Sequence, residues 1–179
     1  MRAHLIATPL ALAALFAASP ALADPANHRS VAGAACVPSD TTLANLGGYQ
    51  VMNGGIEFAA PATGTVTFFC PVPLAVNSGG YYAWLGVDND DDGVSTSDYY
   101  VKADFLRRSG STGAAETLCT VYSRSPSVAS QQCVDPSGTP ILLPIDRVGY
   151  VYFARVTLFR RAVQPDGQSI RFLGIGFTQ

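Results

Sequence analysis

The sequence predicts an all-β protein: an antiparallel β-sandwich of about seven to nine strands carrying two disulfides. Three observations lead there. Beyond the first 23 residues no stretch places apolar residues at helical spacing, whereas alternation of period two recurs along the chain. Clusters of turn-forming residues cut these runs at regular intervals: Asn53-Gly54-Gly55, Pro61 to Gly64, Asn77 to Gly80, Pro136-Ser137-Gly138 and Pro165-Asp166-Gly167. Four cysteines, an even number, follow an export-type leader.

The leader comes first. Residues 1–23 carry Arg2, an apolar Leu/Ala run and a closing Ala21-Leu22-Ala23, the small-x-small pattern of a cleaved signal peptide. Pro9 and Pro20 and the short apolar length argue against a membrane span. Residues 24–34 read as a flexible lead-in and 35–179 as one sandwich domain. Cleavage leaves 156 of the 179 residues, enough for a substantial core. The expected location is exported, periplasmic or extracellular.

Charged residues make up 13% of the chain, about half the usual share, and ten basic residues face thirteen acidic ones after cleavage. That balance excludes nucleic acid and membrane insertion as expected partners and leaves a surface glycan or a protein.

The strands follow in order. "GIEFAA" sets Glu57 between Ile56 and Phe58, so its side chain is expected to face outward. "GTVTFFCPV", "YYAWLGV", "ETLCTVYS" and "SIRFLGIGF" are short runs rich in β-branched and aromatic residues. In "DYYVKADFLRR", Tyr99, Val101, Ala103 and Phe105 alternate with Tyr100, Lys102, Asp104 and Leu106, and the first set is expected inside. In "YVYFARVTLFRR", Tyr150, Tyr152, Ala154, Val156 and Leu158 share one face, while Arg155, Thr157 and Arg161 mark the other. An eight-stranded membrane barrel of similar length is disfavoured by Pro61, Pro71, Pro73, Pro140 and Pro144, which interrupt the runs.

Four cysteines allow three pairings. Cys36–Cys70 and Cys119–Cys133 are favoured, because each pair brackets a plausible hairpin region. Zinc is disfavoured, since no two cysteines have metal-ligand spacing and the sole histidine after the leader is His28.

The Cys-Val-Pro of residues 36–38, the Cys-Pro-Val of residues 70–72 and the "YVYFARVTL" segment resemble a loose group of small secreted bacterial β-sandwich proteins. The resemblance implies an exported β-rich domain and carries no activity or site residue.

Residues 87–98, "VDNDDDGVSTSD", hold five of the thirteen acidic residues. Asp88, Asp90 and Asp92 stand at alternate positions before Gly93, the first half of a D-x-D-x-D-G calcium loop. The second half departs from an EF-hand: Tyr99 stands where a bidentate Glu belongs, and Ser95 where an apolar residue belongs. The expected geometry is a strand–loop–strand calcium site with Asp98 as a further ligand. The competing reading is a solvated hairpin loop, since Asn, Asp and Gly are ordinary turn formers.

No catalytic residues are expected. His28 lies outside the apparent core, and paired cysteines leave no thiol nucleophile. The expectation is therefore an exported, non-enzymatic sandwich of structural or interaction type. One alternative is a calcium-dependent carbohydrate- or peptide-binding module using Tyr81, Tyr82, Trp84, Tyr99 and Tyr100 around the acidic loop. Trp84 itself is expected in the core. A second alternative is a glycoside hydrolase-like enzyme built on Glu57 or Glu116.

Overall fold

The computed structural model describes residues 28–43, 46–72, 80–89, 99–123, 130–161 and 170–178. These form two antiparallel sheets packed face to face. Twelve strands occur among them: β1 (His28–Ala32), β2 (Val37–Pro38), β3 (Tyr49–Met52), β4 (Gly55–Phe58), β5 (Gly64–Pro71), β6 (Tyr81–Asn89), β7 (Tyr99–Ser109), β8 (Ala115–Tyr122), β9 (Ser130–Gln132), β10 (Leu142–Leu143), β11 (Tyr150–Arg160) and β12 (Ile170–Thr178). The strands beyond the expected seven to nine include two- and three-residue pieces, too short to show a periodicity. The strands lie in two separate sheets rather than one closed barrel. A single four-residue helix, Asp40–Leu43, links the layers, and no helix among the described residues is long and apolar enough to cross a membrane.

One sheet has five strands in the order β2-β5-β11-β7-β8. At its centre, β11 pairs with β7 over eleven residues, from Tyr150 opposite Ser109 to Arg160 opposite Tyr99. On its other side β11 runs against β5, with Ala154 opposite Cys70 and Leu158 opposite Val66. The second sheet has seven strands built around β6 and β12. β9 and β10 share the outer edge of β6, and β1 and β4 share the far edge of β12. β3 closes that side as a hairpin with β4. Its turn needs left-handed backbone at two successive residues, which Asn53 (φ 50°) and Gly54 (φ 81°) supply.

The period-two pattern becomes the core. Val101, Ala103 and Phe105 of β7 and Ala154, Val156 and Leu158 of β11 point inward and are at most 2% exposed. They meet Leu85 and Val87 of β6 and Phe172, Ile175 and Phe177 of β12. Phe105 and Phe177 join the sheets directly, edge to face at 5.5 Å. Each such ring contributes roughly 1.5–3 kcal/mol through burial. Tyr99 also faces inward, half-buried against the core.

Within the expected lead-in of residues 24–34, the described part, from His28 onward, is regular structure. His28–Ala32 form β1, whose whole length pairs with β12 from Thr178 to Gly174. The segment lacks a long apolar run because it is an edge strand, with Val31 its buried apolar contact.

Disulfides join Cys36 to Cys70 and Cys119 to Cys133. Cys36 lies where the chain leaves β1 of one sheet for β2 of the other, and Cys70 lies on β5 beside it. Cys119 is on β8, whereas Cys133 follows β9 in the opposite sheet. The Cys119–Cys133 bond therefore ties the two sheets together, whereas Cys36–Cys70 fastens the start of β2 to its neighbour β5 within one sheet, just after the chain has changed layer. Replacing Cys119 and Cys133 together by Ser is expected to lower stability by about 3 kcal/mol, the loop-closure value for a ring of this size, as read from urea unfolding.

Candidate functional site

The strand alternation that fills the core also builds an outer face on the five-stranded sheet. On β11 the outward residues are Phe153, Arg155, Thr157 and Phe159, all half-buried. Register fixes their neighbours. Phe153 lies opposite Leu106, Arg155 between Phe69 and Asp104, Thr157 between Thr67 and Lys102, and Phe159 between Thr65 and Tyr100. Beyond β7, Asp104 and Lys102 face Thr120 and Tyr122 of β8.

Aromatic rings gather at both ends of this face. Tyr100 stacks on Phe159 with ring centroids 5.1 Å apart and planes 28° from parallel. Tyr122 meets Tyr100 at 5.8 Å and is 40% exposed. At the other end Phe69, 41% exposed, meets Phe153 at 6.0 Å. The six residue steps from Phe153 to Phe159 span about 20 Å of strand. Past Thr65 a cavity of about 400 Å³ opens at the end of the sandwich, walled by Gly47, Gly48, Phe58 and Thr63.

The middle of the face is charged. Asp104 is 2% exposed and accepts from three groups. Thr120 Oγ1 donates to Oδ1 at 2.7 Å, and Lys102 Nζ lies 3.1 Å from the same oxygen. Arg155 donates from Nε and Nη2 to Oδ2 at 3.1 and 2.8 Å. Burial pushes the Asp104 pKa up, but the hydrogen bonds from Thr120, Arg155 and Lys102 outweigh it and hold the carboxyl below its ordinary value. Lys102 also sits 5.9 Å from the Tyr122 ring centroid, within cation–π reach.

The five aromatics singled out in the sequence do not form one patch. Tyr81 is core, at 1% exposure, and Tyr99 packs inward. Only Tyr100 lies on the five-stranded outer face. Trp84 departs from its expected place in the core. Residues Tyr81, Ala83, Leu85 and Val87 take the inward positions of β6, which leaves Trp84 outside and half-buried. Its ring covers Gly176, where an added Cβ would overlap the indole, and a Cβ at Gly86 would come within 3.1 Å of it. An aromatic lying over glycines of its own strand and the next fills the space their absent side chains leave. Beside it runs a shallow groove of about 290 Å³, lined by Ser30, Ala32, Leu173 and Gly174.

Phe159, Phe153 and Tyr122 went unmarked in the sequence. The signal was present for two of them: Phe153 and Phe159 share the parity of Arg155 and Thr157. Tyr122 joins them only through the β7–β8 register.

Glu57 occupies the outward parity of β4 yet is only 6% exposed. Gln50 Nε2 donates to its Oε1 at 2.6 Å and Arg171 Nε to its Oε2 at 3.0 Å, and these two side chains cover it. Glu116 lies in the other sheet, paired with Arg107 at 2.7 Å. Glu57 and Glu116, the alternative bases considered for a glycosidase, thus lie in different sheets.

Asp90, Asp92 and Asp98 lie outside the described residues, and Asp88 is described only as part of the β6 backbone, paired with Arg171 of β12. Among the described residues no group of three or more His, Cys, Asp or Glu side chains could hold a metal.

No family model matches the chain, and no curated protein matches it. Solved structures with some likeness include the CBM22-1–GH10 modules of a Clostridium thermocellum xylanase in complex with xylohexaose. Identity there is 11% and the TM-score 0.46, over 86% of this chain and 27% of that one. Another is CBM86, a low-affinity xylan-binding module from Roseburia intestinalis, at 10% identity and TM-score 0.33 over 84% of this chain and 93% of that one. A third is the CBM36-1 domain of a multidomain xylanase from a Trinervitermes trinervoides hindgut metagenome. It shows 12% identity and TM-score 0.36, over 86% of this chain and 98% of that one. No family is assigned by these likenesses.

The folded-state pKa of Asp104 lies below its unfolded value, so its stabilising contribution is complete above about pH 4 and fades as pH falls through the folded value. Asp104→Asn is expected to cost about 2 kcal/mol at neutral pH. The variant should also lose that part of the acid sensitivity, giving a flatter fall in melting temperature below about pH 4 than wild type.

Proposed function

We propose that the protein is an exported, non-enzymatic binding module that takes an extended glycan on the outer face of its five-stranded sheet. The observation that carries this reading is the aromatic cluster of Tyr100, Phe159 and Tyr122, a group of half-exposed and exposed rings on a rigid sheet. Ring faces of this kind suit the apolar faces of sugars, while Thr65, Thr67, Thr157 and Thr120 set hydroxyls beside them. The Phe69–Phe153 pair at the far end extends the contact along β11. A site on strands needs little ordering when ligand arrives, which favours recognition by shape.

The non-enzymatic part is supported by the engagement of three carboxylates of the two sheets. Asp104 and Glu57 are buried and hydrogen-bonded, and Glu116 is paired with Arg107. Export is supported by the disulfides, which form and persist in oxidising compartments.

Calcium belongs to this reading as a cofactor of the acidic segment. Its supporting observation is topological: β6 of the seven-stranded sheet ends at Asn89 and β7 of the five-stranded sheet begins at Tyr99, so the Asp-rich connection joins the two sheets and leads into β7 next to Tyr100. A cation held by Asp88, Asp90, Asp92 and Asp98 would relieve the like-charge crowding that the sequence places just before β7.

Affinity electrophoresis against a panel of soluble plant and microbial polysaccharides tests the binding. Retardation by at least one glycan is expected, with Tyr122→Ala and Phe159→Ala each weakening it about tenfold, and no retardation by any member of the panel refutes the reading. For the metal, millimolar calcium at a Kd near ~10⁻⁴ M should stabilise the fold by roughly 1.4 kcal/mol and raise its melting temperature by a few degrees. Asp90→Ala should abolish that shift, and an unmoved wild-type melt removes calcium from the reading.

A further inference from the structure

We propose that the ligand of this face is an acidic glycan, lying along β11 with a sugar carboxylate held between Arg155 and Lys102; this rests on the glycan-binding reading above. The charge arrangement is what selects an anion. Arg155 and Lys102 bring two positive charges to the middle of the face, and both reach the same carboxylate, Asp104. One negative charge against two positive ones leaves an excess of one, in a chain whose formal net charge is −2. Arg108 adds another cation on the outward parity of β7, opposite exposed Val151.

Both cations retain donors for a ligand. Arg155 gives Asp104 one N–H from Nε and one from Nη2. A guanidinium carries five N–H groups, so three remain, and the side chain is 43% exposed. The Lys102 side chain is 27% exposed, with three ammonium hydrogens of which Asp104 Oδ1 takes one. Asp104 itself is sealed at 2% exposure, so a ligand cannot reach it directly; it positions the two cations, whose charges more than offset its own. Held this way, the cations lose less side-chain freedom on binding than surface residues free to rotate.

The location selects a substituent within a chain. The two cations sit between the Phe69–Phe153 pair and the Tyr100–Phe159–Tyr122 cluster. Sugar rings resting on those aromatics would bring an intervening uronic acid, or a uronic acid branch, over Arg155 and Lys102. A neutral glycan would leave the excess positive charge of this cluster without a counter-charge.

Calorimetric titration of the mature protein with two matched pairs of probes tests this. One pair is hexagalacturonate and its fully methyl-esterified form; the other is glucuronic acid-substituted xylohexaose and plain xylohexaose. The acidic member of at least one pair is expected to bind about tenfold more tightly than its neutral partner. That preference should shrink severalfold between low and high salt, as screening of an exposed ion pair requires. Lys102→Gln and Arg155→Gln should each reduce the ratio of acidic to neutral affinity to about twofold or less, with the neutral partner titrated against the same variant as the reference. Thermal melts of both variants confirm that the folded protein is being titrated, and Lys102→Gln, which leaves the Arg155–Asp104 pair in place, is the milder of the two. Equal affinity for acidic and neutral partners overturns the acidic assignment and leaves the glycan platform standing. An acidic preference untouched by both substitutions also overturns it. No binding of any probe overturns the assignment, and the platform itself fails only if the wider polysaccharide panel is silent as well.

Discussion

The alternation of β11 governs both halves of this molecule. It lies at the middle of the five-stranded sheet and pairs along its length with β7 on one side and β5 on the other. Its inward residues, Ala154, Val156 and Leu158, are fixed by the packing of one sheet on the other. A slip of one residue would exchange these for Phe153, Arg155, Thr157 and Phe159 and bury a guanidinium in the core. The hydrophobic term that sets the register therefore also sets the outward order of aromatic, cation, hydroxyl and aromatic. The candidate site has no separate scaffold; it is the reverse side of the core.

Asp104 shows how closely stability and surface chemistry are coupled in that arrangement. A carboxylate at 2% exposure is costly to desolvate, and it persists here because Thr120, Lys102 and Arg155 all donate to it. The same contacts hold Lys102 beside the Tyr122 ring and Arg155 beside Phe69. The cations stay on the face because the acid beneath them is anchored. A surface lacking it would carry the same charges with more freedom and less direction. The glycine floor beneath Trp84 is a contrasting solution on the other sheet, where absent side chains receive a ring and charge has no part.

The fold class, the inward faces of β7 and β11, and the residues available for disulfides were all legible in the sequence. Each depends on local rules: period-two alternation, turn chemistry at Asn53-Gly54, and an even cysteine count. The short strands β2, β9 and β10 were not legible, because two or three residues show no period. β1 was missed for a related reason. It is an edge strand, and its pairing with β12 joins residues at opposite ends of the chain.

The candidate site divides along the same line. The sequence by itself determined that Arg155 and Thr157 face away from the core, and it supplied Phe153 and Phe159 at the same parity. Only the tertiary structure decided that Tyr100 and Tyr122 join Phe159, that Asp104 gathers both cations, and that Trp84 lies over glycines outside the core. The physical reason is that a strand's own alternation is set by a backbone geometry each residue carries, whereas neighbours across strands depend on register. Register is chosen by the whole core at once, over separations such as the fifty-one residues between Arg155 and Asp104. No local pattern encodes it.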